Sequence, residues 1–483
     1  MSEIITSKQM RVIDVNSEYF GVPRMELMEN AGKAVADAVR KRHASGKITL
    51  IAGRGNNGGD AFVAARYLKG FDIHVMLLCT PENIRTKEAK VNWDRLKDTD
   101  ATLTEVHDTE DIDRDGVINS DIIIDAIFGT GIRGPIREPE ASAIDLINES
   151  NAFVISVDVP SGMDPDTGKG IKMVHPDLTI TFHKMKKGLA TMPNVEVMGI
   201  GVPEEAELFV GPGDVHSLVY RDSDSHKGDN GRILIIGGGA YVGAPALAAL
   251  AALRTGADIA TIAAPASVSD IIASFSPNLI VSSLTSDILT LDDLPIITEL
   301  VQEHDVVVIG MGLGRDELTL RAVKAIIPIC KKVVIDADAL SALDLPLDGN
   351  AIITPHAGEF KRLTGRDIPK NWKKRMEVLK EFARENGCVV LLKGKIDIIS
   401  NGHTAKANQT GNAGMTVGGT GDVLAGVVGA FYAKNDAFES AAAGAFINGL
   451  AGDIAFGEYG FGLLATDVID AIPKAIKKTK DEV

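Results

Sequence analysis

Cysteine is scarce in this sequence: Cys79, Cys330 and Cys388 are scattered through 483 residues. Their odd number and wide spacing leave no zinc-ligand pattern and no disulfide framework, so a reducing cytoplasm is the expected setting. Tryptophan is limited to two residues, and no run of about 18 apolar residues occurs to span a bilayer. Met1 to Met10 carries Glu3 and Lys8 and no apolar core, so neither export nor membrane insertion is expected. Positive charge is in deficit, with Lys plus Arg at 50 against Asp plus Glu at 66 and a formal net charge of -16. That balance speaks against nucleic acid and anionic membranes as partners, so any phosphate must be held by local geometry. The G-x-x-x-x-G-K-[ST] run is absent too, which removes a P-loop nucleotide site.

Glycine, by contrast, is abundant at 49 residues in a chain that is 45% hydrophobic. This composition fits an α/β enzyme whose turns approach ligands, and the length suggests two large domains. A polar, glycine-rich stretch places a linker at 214–226, between domains at 1–213 and 227–483.

In the first half, Lys8 to Val39 shows the spacing of two helices. Ile48 to Ala52 then reads as a buried strand running into Gly53-Arg-Gly-Asn-Asn-Gly-Gly-Asp60, with a helix over Ala61 to Leu68. Gly53, Gly55 and Gly58 match the spacing of a dinucleotide fingerprint, but the next strand, His74 to Cys79, ends without the acidic residue that would hold a ribose. Two amides and a carboxylate in the loop suggest chemistry or a cation instead. Strands at Ile122 to Asp125 and Val154 to Val157 feed two more polar turns, Ala126 to Pro135 and Asp158 to Asp164. Loops at the C-terminal ends of parallel strands are where open α/β sheets hold ligands. Asn57, Asp125 and Ser161 would there bring hard oxygen donors to one spot, suited to a cation.

In the second half, strands are expected at Arg232 to Ile236, Ile259 to Ala263, Val306 to Ile309, Val333 to Asp336, Ala351 to Thr354, Val389 to Leu392 and Asp397 to Ser400, implying a second parallel sheet. The stretch Asn412 to Leu424 places Gly418, Gly419, Thr420, Gly421 and Asp422 before an apolar helical run. Its N–H groups can converge on an anion at a helix start. Asp422 beside that cradle would be repelled by phosphate unless it has a task, such as taking a proton from an attacking hydroxyl.

Asn-Asn-Gly-Gly-Asp, Asp-x-x-x-Gly-Thr-Gly and Asp-x-Pro-Ser-Gly, in this order over Lys8 to Gly213, resemble the epimerase half of the bifunctional NAD(P)H-hydrate repair enzymes. The resemblance implies a Rossmann-like α/β/α sandwich and a potassium ion held by Asn57, Asp125 and Ser161. It also implies substrate contacts from Asn56, Asn57, Gly58, Gly59, Asp60, Gly129, Thr130, Gly131, Ile132, Arg133, Gly134, Pro135 and Asp158, with Asp158 the candidate acid/base residue. Over Arg221 to Lys477, Thr-Pro-His-x-Gly-Glu-Phe, Lys-Gly-x-x-Asp and Gly-Gly-Thr-Gly-Asp resemble the hydrate-dehydratase branch of the ribokinase-like superfamily. This resemblance implies a catalytic Asp422, and hydrate contacts from Ala244, Gly312, His356 and Asp422. It further implies contacts to ADP from Lys393, Gly394, Lys395, Ile396, Asp397 and Gly421, with Glu359 organising Mg²⁺. Asp397 stands where many relatives have threonine. Expected partners are NADHX, NADPHX and ADP, in a homo-oligomer. An NAD-dependent dehydrogenase fused to a kinase, or a nucleotide-binding scaffold, are the rival readings of the residues alone.

Overall fold

In a computed structural model, which describes residues 4–131 and 134–481, the chain forms two compact units, Met1–Glu204 and Glu205–Val483. The expected boundary lay later, at 214–226. Residues 205–216 belong to the second unit for a physical reason: the Val210 N–H donates to Ala407 O at 2.8 Å, Phe209 packs on Trp372, and Asp214 pairs with Lys406. Among the described residues no helix is long and apolar enough to cross a membrane.

The first unit is built on seven parallel strands: β1 (Lys47–Ala52), β2 (Asp72–Leu77), β3 (Thr102–Glu105), β4 (Ile122–Ala126), β5 (Phe153–Val157), β6 (Leu178–Phe182) and β7 (Val195–Met198). Their spatial order is β3-β2-β1-β4-β5-β6-β7. The central strands are apolar runs because both faces are covered; Ile48, Leu50, Ile51, Ile122, Ile123 and Ile124 are fully buried. Helices α1 (Ser7–Tyr19), α2 (Arg24–Arg42) and α3 (Asn56–Tyr67) precede or follow β1. The order reverses between β1 and β4, and a crevice opens at such a switch point, beyond the strands' C-terminal ends.

The second unit carries nine strands: β8 (Arg232–Ile236), β9 (Ile259–Ala264), β10 (Ile280–Ser283), β11 (Val306–Ile309), β12 (Val333–Ile335), β13 (Ala351–Ile353), β14 (Val389–Leu392), β15 (Asp397–Ser400) and β16 (Ala405–Asn408), in the order β10-β9-β8-β11-β12-β13-β14-β15-β16. The sheet is parallel from β10 to β14. Beyond that it departs from the parallel expectation: the short Lys393–Asp397 turn leaves no room for a crossover, so β15 and β16 return antiparallel. Helices α4 (Ala244–Thr255) and α6 (Thr420–Tyr432) pack so closely that a Cβ on Gly426 would lie 2.1 Å from Ala248 O. Between them in sequence lies α5 (Ala357–Thr364).

Candidate active sites

The first site sits at the β1/β4 switch point. A Cβ on Gly53 would meet Ile127 O at 2.0 Å, and one on Gly58 would meet Gly53 O at 2.0 Å, so these glycines let two loops and the start of α3 pack backbone to backbone. Gly59 packs on Met28. Asn56 is exposed, whereas Asn57 is buried and, among the described residues, neither its Oδ1 nor its Nδ2 has a hydrogen-bond partner. An amide stripped of water and left without partners is costly, so these two atoms are suited to engaging a ligand.

Asp125 is the next-to-last residue of β4 and fully buried. Ser156 Oγ donates to its Oδ2 at 2.7 Å, the Ser161 N–H donates to the same oxygen at 2.9 Å, and Ser161 Oγ donates to Oδ1. Burial pushes the Asp125 carboxyl up from its ordinary range, opposed by these bonds. The Phe128 N–H donates to Ser161 Oγ at 2.9 Å, and the next residue, Gly129, has the Asn57 side chain and Asp158 Oδ2 each 3.5 Å from its Cβ position. The loop thus brings Asn57, Asp125, Ser161 and Asp158 to one place. The unpartnered Asn57 carbonyl, with the oxygens of Asp125 and Ser161, is a donor set of the kind a hard monovalent cation takes. Among the described residues no cluster of three or more His, Cys, Asp or Glu is arranged to hold a metal. Thr130 is half-buried and Gly131, Gly134 and Pro135 are exposed along the rim, while Ile132 and Arg133 lie outside the described residues.

Asp158 follows β5 with φ at 64°, a left-handed backbone that non-glycine residues adopt rarely. Its N–H donates to Ile180 O at 2.7 Å. Its carboxylate faces Lys186, whose Nζ lies 2.6 Å from Oδ1. Lys186 was not legible in the sequence, where it sits in a lysine-rich run that looks solvated. Burial, and then the neighbouring Asp158 and Asp14, push the Asp60 carboxyl well above its ordinary range. Asp14 is pushed up to about 6 by burial and by Asp158.

The second site lies at the C-terminal ends of β8, β11, β12, β13 and β14. Gly312, at φ 70°, follows β11, and its Cβ position is only 2.2 Å from Tyr241 O, so the β8 and β11 loops touch through backbone. Ala244 opens α4. His356 caps α5: its Nδ1 accepts from the N–H groups of Gly358 and Glu359 at 3.0 and 3.2 Å, while Glu359 Oε2 accepts from the His356 N–H at 2.8 Å. With Nδ1 accepting, a neutral ring carries its proton on Nε2, which lies 3.4 Å from Glu359 Oε1.

Asp336, at the end of β12, is 2% exposed and pairs with Lys393, at the end of β14, at 2.7 Å. Burial works against the Lys393 charge, but Asp336, Glu359 and Asp422 together hold its pKa above the usual lysine value. Gly419 caps α6 at φ 96°, and the first α6 N–H groups have no partner within the helix. The Lys393 ammonium lies 3.6 Å from the Gly421 Cβ position, at that open helix start. Asp422 stands in the same turn, its carboxyl pushed up to about 7 by burial and by Asp336, with Lys393 pulling the other way. The structure therefore brings Lys393, Gly421 and Asp422 together.

Gly394 and Lys395 are exposed on the hairpin turn and Ile396 is half-buried. Asp397 has both oxygens engaged inside the hairpin, accepting from the Gly394 N–H at 2.9 Å and from Asn408 Nδ2 at 3.0 Å. Asp336 was expected only as the end of a strand; a carboxylate following three apolar strand residues was the available signal.

The family described as NAD(P)H-hydrate dehydratase matches residues 233–474, and that described as YjeF-related protein N-terminus matches 24–188. The chain is 48% identical over 482 residues to the bifunctional NAD(P)H-hydrate repair enzyme of Archaeoglobus fulgidus, covering 99% of each chain. It is 43% identical to the enzyme of the same name from Methanothermobacter thermautotrophicus, covering 98% of this chain and 95% of that one. A crystal structure of a ribokinase-like superfamily protein from Enterococcus faecalis superposes with a TM-score of 0.50 at 25% identity, covering 56% of this chain and 96% of the other.

Proposed function

This chain belongs to the bifunctional NAD(P)H-hydrate repair enzymes, which join an epimerase half to a nucleotide-dependent dehydratase half, and from that premise we propose how its two sites divide the work. The first unit interconverts the R and S hydrates of NADH and NADPH. The second unit dehydrates the S form at the expense of ADP, giving NAD(P)H, AMP and phosphate. The observation that carries the reading is Asp422 standing beside the open start of α6 with the Lys393 ammonium at its side.

In the second unit, Asp422 takes the proton of the hydrate's C6 hydroxyl as that oxygen attacks the terminal phosphorus of ADP. The free N–H groups of α6 and the Lys393 ammonium receive the charge spread over the transferred oxygens. The phosphorylated oxygen then leaves, and loss of the neighbouring proton restores the reduced ring. His356 and Gly312 border the hydrate, and the Lys393–Asp397 turn borders the nucleotide. Mg²⁺, when bound with the nucleotide, supplies charge neutralisation; Glu359 is the residue here that would help to hold it.

In the first unit, C6 inverts when its C–O bond breaks, with a proton delivered to the departing hydroxyl, and forms again on the opposite face as water gives up a proton. Asp158 accepts and Asp60, whose burial favours the protonated form, supplies. Asn57, Asp125 and Ser161 would hold K⁺, which supplies fixed positive charge beside the pocket.

The test is to incubate purified protein with mixed R and S hydrates and ADP or ATP, following recovery of the reduced cofactor's absorbance. Asp422→Ala abolishes recovery while R and S still interconvert; Asp158→Asn leaves recovery from S alone. Recovery from neither isomer with either nucleotide would overturn the assignment.

A further inference from the structure

Lys186 is a buried lysine with an arranged setting. Its side chain is 1% exposed, and its Nζ lies 2.6 Å from Asp158 Oδ1 and donates to Phe182 O at 2.9 Å. Its backbone pairs with Ile5 in a two-residue parallel ladder, Ile4–Ile5 against Met185–Lys186. Asp14, on α1, and Asp60, at the start of α3, interact with the same ammonium, and Arg24 and Arg11 also act on Asp14. The matched family region of this unit begins at residue 24, so Ile4–Ile5 and Asp14 reach the pocket from outside it.

Lys186 is the cation common to three carboxyl groups here, those of Asp14, Asp60 and Asp158. A charge taken out of water needs a close partner, and at 2.6 Å Asp158 is the carboxylate that pairs with Lys186. Among the described residues the geometry gives Lys186 one close ionic partner and a backbone carbonyl, so the ammonium, with Thr181 Oγ1 donating to the same oxygen at 3.3 Å, fixes the direction of Asp158 Oδ1. Oδ2, the other oxygen, is the one that faces the Gly129 loop.

We propose that Lys186 is a positioning residue for epimerisation: seated by the Ile4–Ile5 ladder and faced by Asp14, its ammonium holds Asp158 Oδ1 so that Oδ2 meets the hydrate as the proton acceptor. This inference rests on the reading of the first unit as an epimerase. It assigns the N-terminal segment a part in the chemistry, acting through the lysine.

The experiment uses the full chain and the variants Lys186→Met, Lys186→Arg and Asp14→Asn. R-to-S conversion is followed across pH, with dehydration of pure S hydrate by the second unit as an internal control. Lys186→Met is expected to lower the epimerisation kcat by about 100-fold and to move the acidic limb of its pH profile upward, because the acceptor has lost its cation. Lys186→Arg restores most of the rate and the wild-type limb. Asp14→Asn, which removes a negative neighbour and leaves the lysine in place, moves the limb downward. Dehydration of S stays unchanged throughout. A Lys186→Met profile of wild-type shape, whether at full rate or uniformly reduced, overturns the proposal, since a purely structural lysine would do that. If Lys186→Met fails to fold, Asp14→Asn decides: an unmoved limb overturns the proposal. A wild-type chain that does not epimerise overturns the functional reading and this inference with it, whereas a wild type that epimerises beside an unaltered Lys186→Met overturns this inference alone.

Discussion

Lys393 Nζ lies 2.7 Å from Asp336 Oδ1 and 3.6 Å from the Cβ position of Gly421, so one ammonium links a buried carboxylate at the end of β12 to the open start of α6. The pairing explains how a lysine with most of its surface removed from water keeps its charge next to the proposed phosphate site. It also ties Lys393 to Asp422, whose carboxyl burial pushes up to about 7.

The pH dependence of dehydration follows. As the proposed proton acceptor Asp422 works only when ionised, so kcat/KM should rise about tenfold per pH unit below about 7 and level off above it. Lys393→Met removes the charge that favours the ionised form, so the rise should move to higher pH. For stability the sign is reversed. The folded-state value lies above the ordinary 3.8, so stability falls as pH rises from about 4 through about 7. Asp422→Asn should therefore melt higher than the wild type at pH 8 and lose that advantage near pH 4, while dehydrating on the order of 10²-fold to 10⁴-fold more slowly. Scanning calorimetry at the two pH values checks the first half of this, and a wild type that melts as high as the variant at pH 8 would refute it.

Two glycines of one loop should respond unequally to alanine. At Gly53 the added carbon meets Ile127 O at 2.0 Å, and that oxygen belongs to a loop held by β4, so Gly53→Ala should cost about 3 kcal/mol or more and disturb the Asn57 pocket. At Gly55 no described residue lies within 4 Å and φ is -104°, so Gly55→Ala should cost only what alanine loses to glycine at the N-cap of α3, about 1 kcal/mol or less. Urea unfolding of the two variants measures the difference.

What could be seen in the sequence was what glycine and apolar runs advertise. Strands such as Ile122 to Ala126 are mostly apolar because both faces are covered, and Asp125 at such a strand's end, Asn57 and Ser161 just beyond others, and Asp422 after the glycines that open α6 stand in view. Thr102–Glu105, Ile280–Ser283 and Ala405–Asn408 went unseen because they lie at or next to a sheet margin, half exposed and without a continuous apolar signal. Lys186 was hidden for another reason. His183-Lys-Met-Lys-Lys187 carries the charge of a solvated loop, and only the pairing of Met185–Lys186 with Ile4–Ile5, 181 residues earlier in register, turns one of those lysines inward. The antiparallel return of β15 and β16 could have been inferred from the short turn between Leu392 and Asp397.

Potassium should act as a ligand of the first unit and as more than ionic strength. Asn57 has both side-chain polar atoms buried and unpartnered, so an ion that engages its carbonyl oxygen stabilises the folded state by mass action. KCl should raise the first unit's unfolding midpoint along a saturating curve, relative to equal concentrations of a bulky organic chloride. Asn57→Ala should flatten that curve. Equal midpoints in the two salts for the wild type would remove the cation from the pocket.

The earlier boundary between the units makes a prediction about fragments. Val210 and Val215 are buried in the core of the second unit, Val210 hydrogen-bonds the edge strand β16 through Ala407, and Lys406 on that strand pairs with Asp214, each side chain 12% exposed. A fragment cut at the composition-based boundary, 227–483, keeps Lys406 but loses its partner and uncovers β16. Removing one member of a buried pair costs on the order of 3 kcal/mol, before the lost apolar cover is counted. The fragment 205–483 should fold and dehydrate S hydrate like the full chain, whereas 227–483 should be less stable by at least that amount or aggregate through its uncovered edge. Restoring the acid on a fragment shortened only to residue 209 should recover most of the loss, and Asp214→Ala in that fragment should remove it again. Denaturant midpoints for the series place the boundary, and equal midpoints for 205–483 and 227–483 would return it to 214–226.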